Sequence, residues 1–80
     1  MAFATMPRYY FDTTADRTPV DVEGETLPND AAACASAVAS LSELLPGHAS
    51  DLIGGGSFGV TVAREDGTVF YRIEAVATEL

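Results

Sequence analysis

Asp66-Gly67 stands between two runs of alternating character, residues 58–64 and 69–76, and this arrangement constrains the fold more than any other feature of the chain. Asp-Gly favours the left-handed backbone of a tight hairpin turn, and strict alternation marks strands with one covered face. With Asp66-Gly67 as a two-residue turn, Val62 opposes Tyr71, Val60 opposes Ile73 and Phe58 opposes Ala75 on one face. The other face pairs Ala63 with Phe70, Thr61 with Arg72 and Gly59 with Glu74. The first face is apolar and requires a cover.

Residues 31–45 supply it. Cys34, Val38, Leu41 and Leu45 recur at helical spacing, flanked by Ala37 and Leu44, with Ser36, Ser40 and Glu43 turned away. Asn29-Asp30 is a good N-cap with a carboxylate at the positive end of the helix dipole, and Pro46-Gly47 stops the pattern. Residues 48–53 are expected to add one more turn. Upstream, the aromatic and β-branched run 8–14 reads as a strand, turn formers follow at 15–19, and a shorter strand at 20–23 ends at Gly24. The order β-β-α-β-β predicts an α+β two-layer sandwich, an antiparallel sheet with one helix packed on one face. Tyr9 and Phe11 join Phe58, Val60, Val62, Tyr71 and Ile73 under the helix. Residues 1–5 are expected to form a flexible lead and 6–80 a single domain.

A chain of 80 residues buries little surface. Roughly 60% of what the unfolded form exposes is typical, and such a core rarely supplies more than ~3–5 kcal/mol. Disulfides cannot add to it, because Cys34 is the only cysteine, and that usage together with the lack of a signal sequence points to the cytoplasm. Support from a second copy or from a partner is therefore expected. Tyr10, Phe70 and Val76 fall on the sheet face that nothing in the chain covers, which makes them the expected apolar face for a homodimer or partner.

Twelve carboxylates face four arginines and no lysine, for a net charge of −8. That balance excludes direct binding of nucleic-acid backbones and of anionic membranes, which both require clustered cations. It fits a protein partner with a basic surface. Asp16, Asp21, Glu23, Glu25 and Asp30 form the densest acidic stretch and are the candidate partner-binding residues. On a strand, alternate carboxylates recur every ~6.8 Å, comparable to phosphate spacing, so a nucleic-acid mimic is physically feasible. The plainer reading is a solvated edge strand guarded by charge, in a chain whose acidity reflects composition and solubility.

No motif supports catalysis. Gly54-Gly55-Gly56-Ser57-Phe58-Gly59 matches G-x-G-x-x-G, yet no lysine is available for phosphates and the glycines lead into a strand rather than a helix. As a calcium loop the acidic stretch fails, since the twelfth position from Asp21 is Ala32. Cys34 and His48 are too few for a structural zinc site, and Cys34 lies on the apolar stripe, where thiols are inert. No catalytic residue, metal ligand or cofactor site is assigned.

The run Met6-Pro7-Arg8-Tyr9-Tyr10-Phe11, continued by Asp21-x-Glu23-Gly24-x-x-Leu27-Pro28 and the alanine-rich helix, resembles a family of small uncharacterised bacterial α+β proteins. The likeness returns at Glu65-Asp66-Gly67. Members typically begin at the equivalent of Met6, so the resemblance implies that residues 1–5 are an extension or reflect an alternative start. The chain departs from the family pattern at Asp12, where histidine is usual, and at Pro46-Gly47, which cuts a helix that is usually longer. The family carries no activity to transfer. In size and charge alone the chain is similar to phage anti-CRISPR proteins. Two functions follow as expectations: an acidic inhibitor that competes with nucleic acid for a basic partner, or a small homodimeric structural or regulatory protein.

Overall fold

The computed structural model describes residues 6–13 and 23–80. Strands β1 (Arg8–Thr13), β2 (Glu25–Thr26), β3 (Ser57–Arg64) and β4 (Val69–Val76) form one open antiparallel sheet in the order β2-β1-β3-β4. Helix α1 (Asp30–Leu44) lies across one face, against β3 and β4. A 3-10 turn (Leu45–His48) and a short helix α2 (Ala49–Leu52) return the chain to β3. The α+β layering expected from the pattern is the layering observed.

Helix α1 begins where its capping chemistry dictates. The Asn29 side chain accepts a hydrogen bond from the Ala32 amide at 2.9 Å, satisfying one of the helix's unpaired donors. Pro46 occupies the start of the 3-10 turn, where its missing amide costs nothing. Gly54 and Gly55, both at φ +91°, then reverse the chain into β3.

The buried face of α1 is Ala33, Ala37 and Leu41, and not the stripe Cys34, Val38, Leu41 and Leu45. Cys34 is half-buried, Leu45 packs at the edge of the core, and Val38 is 45% exposed. The sheet supplies the bulk, with Tyr9, Phe58, Val60 and Val62 all but inaccessible, so the helix fits closest with its smallest residues inward. Leu27 and Leu52, outside both periodic segments, close the rim with Phe11, Tyr71 and Ile73.

The hairpin register follows expectation from Phe58↔Ala75 through Val62↔Tyr71 and then departs from it. The Arg64 amide donates to the Thr68 carbonyl and the Gly67 amide to the Arg64 carbonyl, each at 2.9 Å, so the loop is Glu65-Asp66-Gly67 with Gly67 at φ +89°. Its third residue shifts the pairing by one, and Ala63 opposes Val69 instead of Phe70. A bulge at Phe70 restores the register. The second strand also differs from the expected 20–23. Residues 20–22 lie outside the described residues, Glu23 is in a bend, and the strand that pairs with β1 is Glu25–Thr26. No described helix is long and apolar enough to cross a membrane.

Candidate functional site

Asp30, on the first turn of α1, accepts side-chain hydrogen bonds from two strands. The Tyr9 hydroxyl, on β1, donates to its Oδ1 at 2.7 Å, and Arg64 Nη2, at the end of β3, donates to its Oδ2. The Arg64 guanidinium also sits 4.0 Å from the Phe70 ring centroid, and the Tyr9 and Phe70 rings are 6.0 Å apart. Two strands thus meet the helix at one carboxylate, and Phe70 of a third packs against both donors. The hydrogen bonds from Arg64 and then Tyr9 hold the Asp30 carboxyl below its ordinary range, while burial, followed by the bond to Asp30, raises the Tyr9 phenol. Arg64 is pushed further up by Asp30. Sequence pattern assigns Arg64 only a strand end; its pairing with Asp30 spans 34 residues and leaves no local signal.

Of the candidate acidic residues the structure describes three, Glu23, Glu25 and Asp30, each in a different local setting. Asp16 and Asp21 lie outside the described residues. Glu23, in its bend, precedes Gly24 at φ +70°, so Glu23 and Glu25 are not successive positions on one strand face and the phosphate-like spacing does not arise between them. Glu25 is exposed on β2, accepting from Ser36 Oγ at 3.4 Å, and Asp30 is tied to Tyr9 and Arg64. Glu43 on α1, Asp51 on α2, Glu65 and Asp66 at the hairpin tip, and Glu74 on β4 are exposed elsewhere. The Asp66 carboxyl is held low by the Thr68 amide, to which it is bonded at 2.9 Å, and by the Thr68 hydroxyl.

The apolar face also needs correction. The bulge turns Phe70 to the helix side, where it packs on the core beside Tyr9 and Arg64. Tyr10, half-buried, and Val76, 68% exposed, remain on the side away from the helix. Tyr10 lines a shallow open depression of about 340 Å³ with Asp12, Ala63 and Val69. Across the rest of that side Arg72 and Glu74 point outward, so it is mixed rather than apolar.

His48 bonds Asp51 through Nδ1 at 2.9 Å and stacks on Phe58 with ring centroids 4.0 Å apart. Cys34 is a free, half-buried thiol. Among the described residues no three of His, Cys, Asp or Glu gather to hold a metal ion.

A family model described as a domain of unknown function, DUF6894, matches residues 8–77, and the chain belongs to that family. No curated protein and no solved structure matches the chain.

Proposed function

We propose that this member of the DUF6894 family is a non-enzymatic binding module that acts in the cytoplasm by occupying a basic protein surface. The observation that carries this reading is the imbalance of outward charge. With Asp16, Asp21 and Arg17 set aside, ten carboxylates and three arginines fall among the described residues. Arg64 is engaged by Asp30, and Arg8 Nη1 donates to the Glu23 carbonyl, so two of the three described arginines are held by bonds within the chain. The carboxylates on α1, α2, the hairpin tip and β4 project from several sides, giving a negative field around the whole domain. Such a field steers encounter with a Lys/Arg-rich partner and repels nucleic acid.

In its sharpest form the module is an inhibitor that competes with nucleic acid for that partner, as an anti-CRISPR protein would. Capture from host lysate at low and high salt would identify the partner, followed by titration in the presence of nucleic acid. Wild type should compete, and competition should weaken as salt screens the charges over ~8 Å. The variant Asp21→Asn/Glu23→Gln/Glu25→Gln should associate more slowly while dissociating at nearly the wild-type rate. Equal, salt-independent competition by both proteins would refute the reading.

A further inference from the structure

The two edges of the sheet are unequal. On one side the sheet ends in β2, two residues long, which offers little to pair with. On the other it ends in β4, eight residues with no proline, terminal in the sheet order. The Ala77 amide donates to the Gly56 carbonyl at 2.9 Å. Since backbone groups alternate in direction along a strand, Ala75, Ile73 and Tyr71 also point theirs at β3, whereas Arg72, Glu74 and Val76 point theirs outward. The Arg72 and Glu74 side chains are both exposed on the face away from the helix.

We propose that β4 pairs antiparallel with β4 of a second copy about a two-fold axis at Ile73, continuing the sheet across the dimer. In an antiparallel pairing of identical strands, the outward groups of Arg72 and Glu74 can meet a copy in a few registers only. One slip sets Arg72 against Arg72 and another sets Glu74 against Glu74, and like charges directly opposite are destabilising. Centring on Ile73 places Arg72 opposite Glu74 of the copy, twice by symmetry, with the backbone amides and carbonyls of both residues exchanged across the join. The edge is therefore complementary to itself in one register.

The helix side agrees. A two-fold axis perpendicular to the sheet keeps both helices on the same face. The Ser36 bond to Glu25 turns one flank of α1 toward β2, and helical geometry puts Val38, two residues on, at the opposite flank toward β4. Val38 at 45% exposure and the half-buried Tyr71 and Ile73 would line the cleft between the two helices and lose their contact with water. This is where the added support for a small core would come from.

Sedimentation equilibrium of the full chain at physiological salt tests the register. Wild type should dimerise, and its Arg72 and Glu74 amides should become protected from hydrogen exchange as concentration rises. Arg72→Glu and Glu74→Arg should each weaken dimerisation about tenfold or more, since each replaces two attractive pairs with two repulsive ones. Glu74→Arg is the stricter test, because it reduces the net charge of −8 and would strengthen any association limited by overall repulsion. The double variant Arg72→Glu/Glu74→Arg should return the affinity to within about threefold of wild type. Circular dichroism of the dilute variants checks that exposed substitutions leave the protomer folded. A wild type that stays monomeric, single variants that dimerise unchanged, or a double variant that does not recover would each overturn the proposal.

Discussion

At its N-terminal end helix α1 meets the sheet through Asp30, which takes hydrogen bonds from Tyr9 and Arg64, whereas past its C-terminal end the contact is His48 lying flat on Phe58. The first attachment is directional and charged, and it sets the rotation of the helix about its axis. The second is apolar, is fully covered at Phe58, and derives its strength from area removed from water. Side chains of similar reach serve as a positioning device at one end and as an anchor at the other. The two ends should accordingly respond to different perturbations.

The largest effect is expected at the apolar end. Phe58→Ala removes the fully buried ring beneath His48 and should cost about 3–5 kcal/mol, comparable to everything a core of this size supplies. The variant should show no cooperative thermal transition by circular dichroism. A sharp transition near the wild-type temperature would mean that this end contributes little and the contrast is false.

The polar end should respond to pH. Asp30 has its folded pKa held below the ordinary 3.8, so the stability it contributes is present above that value and is lost as pH falls through the folded pKa. Tyr9 has its folded pKa raised above 10.0, so its contribution is present below that value and is lost as pH rises through the folded pKa. Urea unfolding measured across pH should therefore show the cluster supporting the fold between these limits. Asp30→Asn should flatten the acid limb and Tyr9→Phe the alkaline limb, each with a lower plateau. Limbs that stay unchanged in both variants would assign the pH dependence to other groups.

The smallest effect separates helix initiation from helix anchoring. Asn29→Ala removes the cap on Ala32 and should cost about 1 kcal/mol without altering either limb of the pH profile. A loss several times larger would show that the cap also holds Asp30 in place for Tyr9 and Arg64.

Much of this architecture was legible locally. The pairs Val60↔Ile73 and Val62↔Tyr71 could be read because alternation in two strands and an Asp-Gly turn agree on one register. The start of α1 could be read because Asn29 caps it from adjacent sequence. Strand β2 could not, since two residues carry no period, and the bulge at Phe70 could not, since Asp-Gly suits both a two-residue turn and the tip of a three-residue loop. Asp30 appeared as one member of an acidic stretch, and only the arrival of Tyr9 and Arg64 from distant strands made it a structural pivot.

The sequence by itself determined helix α1, the three longer strands, the antiparallel hairpin and the negative charge, because each depends on neighbours within a few residues or on composition. Tertiary structure decided which face of α1 is buried, to which side Phe70 turns, and which strands end the sheet among the described residues. Those outcomes depend on volume and hydrogen-bond matching between segments as far apart as Tyr9, Asp30 and Arg64, and no local pattern encodes that match.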